Sequence, residues 1–472
     1  MSVVPDLVRL ETIPVNYLQN IETDLIETST FQEATATQPG FARFDLQRKG
    51  FLHSHSKLFI GLVPPAGNNA FLPLNVGIAS VIDRAVLKVG NQVLNEISDF
   101  QYFHMLKSVG VDNENNVERE YYTTGRCINN KFILRNEATG IPSRQSAPVT
   151  GIDNGREYSP NAAAVEGADL FSMPFANMDV ASVNESPVYS LDLSDLFPFL
   201  KTHSLPLYMI DEPLYIEIHW SNLRERACGR AGDASLGINF LIDRNELKFC
   251  ADYIFYTDGD AMERYAQANQ TLEFSFPDYR LAKHTIPTAE VTLAGGIVRN
   301  VGMANRLVSR VLTQLSPSAP DLTGGVQASI LGRYTAKSSV PVNGEVNGGV
   351  FSYNVRYNDK FEFPTSITNI ARLFTHFTQS ETIPFVTRTQ YSGVQFQSMT
   401  AFGYERNGQA VNLKGNFFHF GTRLTTGRVG IRGIEIHLNM GGAPAGSLDM
   451  RSYMEYMRVA RLSSGNFSVF NA

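Results

Sequence analysis

An internal echo constrains this chain more than any other feature. From Ser80 to Val109 it reads SVIDRAVLKVGNQVLNEISDFQYFHMLKSV. Val81, Ala85, Leu87 and Val89 share one face of an extended segment, and Ile82, Arg84, Val86 and Lys88 the other, as in a half-buried strand. Gly90-Asn91 then supplies a two-residue turn of the kind that needs positive φ at both central residues. The chain returns through Val93 and Ile97. At Ser98 or Asp99, either of which can cap a helix, the period becomes helical, with Tyr102, Met105, Leu106 and Val109 on one stripe.

The same strand, turn, strand and helix recur from Phe351 to Phe377. Phe351, Tyr353, Val355 and Tyr357 alternate with polar residues, Asn358-Asp359 makes the turn, and Phe361 and Phe363 form the return strand. Pro364 ends it, Thr365 or Ser366 caps, and Ile370, Ala371, Phe374 and Phe377 form the stripe. Aligned without a gap, Leu87 falls on Val355, Lys88 on Arg356, Asn91 on Asp359 and Leu106 on Phe374. A second echo follows in the same order: Ile216-Glu217-Ile218-His219 returns as Ile434-Glu435-Ile436-His437. Each is followed by an aromatic strand-like run, Phe249 to Tyr256 and Tyr453 to Met457. The pattern is that of a tandem duplication, and the longer spacing in the first copy requires an insertion there.

Bulk properties agree. A chain of 472 residues exceeds what one hydrophobic core usually organises, so two domains are expected. Its 31 Phe and 19 Tyr, with many Gly and Pro, favour strands and turns, hence a mainly β protein. Net charge is -6 with no polybasic run, which argues against direct nucleic-acid binding. Cys127, Cys228 and Cys250 are odd in number and lack metal-type spacing, so they are expected to be reduced core residues. No basic segment leads into an apolar run near the N-terminus, and no stretch of about 18 apolar residues occurs, so neither a signal peptide nor a membrane span is expected.

The expected organisation is an N-terminal arm at 1–40, a first domain at 41–257, a helical linker at 258–270 and a second domain at 271–472. Within the arm, Tyr17, Leu18, Ile21, Leu25 and Ile26 suggest a short amphipathic helix. The first domain carries a long loop insertion around 110–188, and the second a Gly- and Ser-rich loop around 316–349. In the linker, Met262, Tyr265 and Ala266 have helical spacing.

Candidate chemistry is sparse. His53 and His55, two apart on a predicted strand, could share a metal, but Ser56, Lys57, Leu58 and Phe59 bring no acid, which favours a structural role. His219 and His437 read as strand positions inherited through the duplication. Asp112, Glu114 and Asn116 begin a calcium-type spacing, yet Val117 stands where glycine is needed and Thr123 where glutamate is needed. Phosphate-loop, serine-hydrolase and zinc-protease motifs are lacking. No catalytic, cofactor-binding or metal-binding residue is therefore nominated. Trp220, the single tryptophan, reads as a core or interface anchor rather than a sugar platform.

Several stretches carry a resemblance. SVIDRAVLKVGNQVLNEI is similar to a strand, Gly-Asn or Gly-Gly turn, Gln and short-helix element of the double jelly-roll major capsid proteins of tailless icosahedral double-stranded DNA viruses. These include adenoviruses, virophages, polinton-like viruses, nucleocytoplasmic large DNA viruses and membrane-containing tailless bacteriophages. SLDLSDLFPFLKTHSLPLYMIDEPLYIEIHW resembles the run into the last strands of their first jelly roll, and VRYNDKFEFP and RSYMEYMRVARL resemble second-domain elements.

The resemblance implies two tandem eight-stranded jelly-roll β-sandwiches with short helices and long loops, in a structural protein rather than an enzyme. It implies a hexon-like homotrimer, since three chains with two wedges each close a pseudo-hexagonal ring that contacts neighbouring trimers in a virion shell. A penton protein would fill the fivefold vertices, minor or cement proteins could engage the N-terminal arm, and synthesis and assembly would occur inside the host cell. Contact with an internal membrane is left open. The rival readings are a two-domain β-sandwich carbohydrate-binding or attachment protein and, behind it, a β-sandwich lyase.

Overall fold

The fold was obtained as a computed structural model that describes residues 19–35, 38–63, 70–71, 76–109, 188–201, 203–221, 228–229, 241–256, 259–291, 296–318, 350–368, 419–424, 432–440 and 447–471, with isolated residues between 119 and 143 and at 372 and 376. The predicted calcium-type segment, the helical stripe of the second echo and most of both long loops lie outside the described residues.

Two β-sandwiches follow one another. The first contains β1 (Gln19–Glu27), β2 (Thr30–Gln32), β3 (Phe41–Leu46), β4 (Phe51–Leu52), β5 (Lys57–Val63), β6 (Ile82–Val89), β7 (Gln92–Ser98), β8 (Val188–Asp192), β9 (Leu214–Trp220) and β10 (Leu241–Tyr256). Helix α1 (Phe100–Val109) follows β7, and helix α2 (Gly259–Ala268) follows β10. The second contains β11 (Thr271–Ile286), β12 (Ile297–Gly302), β13 (Val308–Pro317), β14 (Val350–Tyr357), β15 (Lys360–Phe361), β16 (His419–Arg423), β17 (Ile434–Met440), β18 (Leu448–Ser463) and β19 (Asn466–Asn471).

Pairing repeats element for element. In the first sandwich β1 and β5 flank β10, and β8 lies outside β5; in the second, β11 and β13 flank β18, and β16 lies outside β13. On the facing sheets, β3 and β6 flank β9 with β7 beyond, as β12 and β14 flank β17 with β15 beyond. Eight strands of one sandwich thus have counterparts in the other.

The two Ile-Glu-Ile-His strands occupy the same place but not the same register. Ile216 pairs with Leu87, whereas Ile436 pairs with Val355, a slip of two residues relative to the sequence alignment. A two-residue slip preserves which side chains face the core, because the strand period is two. Leu87, Ile216, Ile218, Val355, Ile434 and Ile436 are all buried. The outward partners are also preserved: Lys88 Nζ lies 2.7 Å from Glu217, and Arg356 Nη1 3.2 Å from Glu435.

Three local expectations are corrected. Gly77–Val81 is a short 3-10 helix, so the organising strand begins at Ile82 rather than before it. The turns differ: Asn358 and Asp359 both have positive φ (51° and 62°), but at the first turn only Gly90 does (55°). Glycine at the first central position suits the alternative hairpin turn, and the ladder behind it shifts register between Leu87 and Lys88. Finally, the arm helix expected around Ile21 is a strand. Residues Gln19 to Glu27 pair along Tyr256 to Lys248, and that ladder overrides the helical spacing of the apolar residues.

Candidate functional site

The most heavily constructed place in the molecule is the seam between the sandwiches. The first contributes β7, α1 and the turn segments near Phe199 and His203; the second contributes β11 and β18. These two strands pair over 16 positions, from Thr271↔Ser463 to Ile286↔Leu448. Residues Leu448 to Met454 are buried without alternation. A sandwich strand normally shows water one face; here Met450 and Met454 enter the second core while Arg451 and Tyr453 meet α1.

Asp99 immediately precedes helix α1, and its main-chain oxygen accepts from the N–H groups of Tyr102 and Phe103. Its carboxylate is directed across the seam, where Arg451 Nε donates at 2.7 Å, and the Tyr453 hydroxyl donates to the Asp99 main-chain oxygen at 2.8 Å. The Arg451 guanidinium lies 3.8 Å from the centre of the Tyr102 ring. Burial opposes the Arg451 charge, but Tyr102 and Asp99 outweigh it and raise its pKa. One turn on, Phe103 packs against Tyr279 and Tyr453, at centroid separations of 4.7 and 5.3 Å. Of these residues only Tyr102 belongs to the stripe read from the sequence; that Asp99 and Phe103 face the other domain is a tertiary fact.

A second polar node joins β7 to β11 and β18. Asp278 accepts from Asn95 Nδ2 at 2.7 Å and from Arg458 Nη1 at 2.8 Å, and the same Arg458 nitrogen donates to Leu94 O at 3.1 Å. Burial pushes the Asp278 carboxyl above the ordinary range even with Arg458 beside it. Burial acts likewise on Glu455, but Arg310, Lys107, Ser309 and Tyr279 outweigh it and hold that carboxyl below its usual value. The Phe199 ring lies tilted against Phe276 at 5.0 Å, and His203 against Phe274 at 5.2 Å with its Nε2 3.2 Å from Ser275 O. The turn at Ser464-Gly465 closes the seam: Asp211 N donates to Gly465 O at 2.8 Å. Buried side chains on both sides form one continuous apolar cluster, so the sandwiches are held in a fixed mutual orientation.

No protein-family model matches the chain, and no curated protein matches it in sequence. Solved structures do. The capsid of PBCV-1 is similar at 10% identity and a TM-score of 0.53, over 98% of each chain. The Sputnik virophage structure is similar at 9% identity and 0.52, over 97% of this chain and 90% of that one. The mavirus major capsid protein is similar at 7% identity and 0.51, over 98% and 93%. This chain has the double jelly-roll fold. Coverage across the whole length places both jelly rolls, and not one sandwich alone, within the likeness.

Residues weighed for chemistry take structural places in the double jelly roll. His53 and His55 lie in a turn after β4 rather than on a strand; His55 N donates to His53 Nδ1 at 3.0 Å, and burial lowers the His53 pKa. Asp192 comes within 3.7 Å of His55, an acid that the local sequence does not show, yet among the described residues no group of three or more potential ligands gathers. His219 Nε2 lies 3.0 Å from Arg84, and burial lowers its pKa, whereas His437 lies 3.4 Å from Glu435. Trp220 is 1% exposed, inside the first core, where no sugar can reach it. Cys250 is a free thiol on β10. A cavity of about 290 Å³ beside Phe361, Val298 and Asn354 has His437 as its only titratable lining residue. Among the described residues no helix is long and apolar enough to cross a membrane.

Proposed function

We propose that this protein is a major capsid protein that assembles as a pseudo-hexagonal homotrimer and tiles an icosahedral virus shell. One observation carries the reading: two matched sandwiches are fastened by a buried, hydrogen-bonded seam into a single rigid pair of wedges, in a fold shared along its length with viral capsid proteins. A tiling subunit needs fixed angles between its parts, and a seam with two buried ion-pair nodes supplies that stiffness. The work is mechanical rather than catalytic. Three double wedges satisfy a closed sixfold outline with cyclic symmetry.

Within this reading the chain divides into jelly rolls at 41–257 and 271–472 joined by the helix around 258–270, with β1 folded back onto the first. The partners are other copies of the chain, a separate penton protein at fivefold positions and minor capsid proteins; the protein resides in the virion shell after assembly inside the host cell. Native mass measurement with negative-stain imaging of the purified full chain tests it. The expected result is a species of three chains with a hexagonal outline; a monomer that binds glycans would sink the proposal.

A further inference from the structure

The two jelly rolls differ on the outward face of one matched sheet. In the first, His219 of β9 pairs with Phe41 of β3 and with Arg84 of β6. Arg84 lies 3.0 Å from His219 Nε2 and 3.2 Å from Glu96 of β7, so an ion pair covers the imidazole. In the second, His437 of β17 pairs with Val298 of β12 and with Asn354 of β14. The place of Arg84 therefore passes to Asn354. Phe361 of β15 takes that of Glu96: it pairs with Arg356, two residues past Asn354, as Glu96 pairs with Val86, two residues past Arg84.

These exchanges open a cavity. Asn354 is 5% exposed and its amide is engaged with the return segment, Nδ2 donating to Phe363 O at 2.9 Å and Oδ1 accepting from Phe363 N at 3.2 Å. It leaves unfilled the room that the Arg84 guanidinium takes in the first copy. The space is about 290 Å³, walled by Phe361, Val298 and Pro364 and lined also by Ser366, His437 and Asn439. Phe361 and Val298 are 46% and 45% exposed, and Phe361 meets the His437 ring edge to face at 5.0 Å. Asn439 is fixed by its bond from Nδ2 to Ser352 Oγ at 2.9 Å.

We propose that this cavity between Phe361, His437 and Asn439 binds a neutral pyranose sugar. The lining decides the class. Among the described lining residues there is no Lys, Arg, Asp or Glu, so neither an anion nor a cation finds its counter-charge there. Amide, hydroxyl and imidazole groups each donate and accept, as a ring of sugar hydroxyls requires. A wholly apolar guest would take those groups out of water without partners. A pyranose offers hydroxyls to Ser366, His437 and Asn439 and its C–H face to Phe361 and Val298, the combination of apolar wall and few placed polar groups that defines a small-ligand site. The Arg84–Glu96 pair closes the equivalent place in the first jelly roll, so each chain has one such site from the matched pair. The proposal goes beyond assembly and does not depend on it.

The test is saturation-transfer NMR on the purified full chain with methyl β-D-galactopyranoside, methyl β-D-glucopyranoside, methyl α-D-mannopyranoside and N-acetyl-D-glucosamine. At least one should receive saturation on its ring C–H protons, while cyclohexanemethanol, a ring of like size with a single hydroxyl, should not. Phe361→Ala, and Phe361→Glu, which restores the residue type of the first copy, should each weaken binding about tenfold or more with far-UV circular dichroism unchanged. Phe361→Tyr should retain it, as should Phe470→Ala, which removes a Phe 48% exposed elsewhere on the second jelly roll. The proposal is overturned if none of the four sugars binds, if binding survives both Phe361→Ala and Phe361→Glu, if Phe470→Ala loses it equally, or if cyclohexanemethanol binds as well as the sugars. Binding by a trimer agrees with the assembly reading; binding by a monomer would keep this site and overturn that reading.

Discussion

Arg451 Nε lies 2.7 Å from Asp99 Oδ2 across 352 positions of sequence, and the Arg451 side chain is 4% exposed. The pair turns the first residue after β7 into a latch on the second jelly roll. Asp449 lies 3.5 Å from the same guanidinium, so losing Asp99 leaves Arg451 with one carboxylate neighbour in place of two.

Asp99→Asn is the clean test of that latch. Asparagine tolerates the positive φ of 48° at this position, so backbone strain stays constant while the charge disappears. The expected loss is about 1.5–3 kcal/mol in chemical denaturation, the range for a hydrogen bond to a charged group. A loss below about 0.5 kcal/mol would reduce the pair to a surface-type salt bridge.

Phe103→Ala removes the apolar half of the same contact. The ring is 1% exposed, touches Tyr279 and Tyr453, and leaves a cavity that neither β strand can close without breaking its ladder. We expect about 3–5 kcal/mol of destabilisation. In calorimetry the two jelly rolls should then melt as separate transitions, whereas the parent melts as one.

Acidification should loosen the seam through His203. Burial holds its imidazole below the ordinary value of 6.5. A folded pKa below the unfolded one means that the native state binds the proton less readily, so stability is full above 6.5 and is lost as pH falls through the window down to the folded value. His203→Gln should flatten the change in melting temperature between pH 7 and about pH 5; equal slopes for parent and variant would remove His203 from the account. Glu455 acts lower: its folded pKa lies under the ordinary 4.5, so its contribution is full above 4.5 and disappears as pH drops through the folded value.

Gly465→Ala probes the turn that closes the seam. Its φ of 79° disfavours any side chain, and a Cβ there would come within 1.8 Å of Asp211 Oδ2. Asp211 would have to shift from Arg48, which it now meets at 2.7 Å. The expected cost is about 1–2 kcal/mol in denaturant midpoint analysis, and a neutral result would show that the turn can move away from the first jelly roll.

Much of this architecture could be read from the chain. Period-two alternation marked β6 and β14, the Asn358-Asp359 turn formed with both residues at positive φ, and the repeated Ile-Glu-Ile-His stretch marked β9 and β17. These are local signals, and local sterics with a half-buried face suffice to produce them. The reading failed where long-range pairing outvotes local spacing. Tyr17, Leu18, Ile21, Leu25 and Ile26 have helical intervals, yet β10 offers an open ladder, and residues 19–27 take it as β1.

Ser80 to Val109 shows the division most clearly. Its own residues determined a hairpin and a helix, because turn chemistry and apolar periodicity act over a few residues. That Asp99 would latch Arg451, that Phe103 would fill a space between Tyr279 and Tyr453, and that Ile21 and Leu25 would be left in water were decided only when two distant sheets packed. Contacts between residues hundreds of positions apart leave no periodic trace in either segment, so the seam that gives the double wedge its stiffness exists only in the tertiary structure.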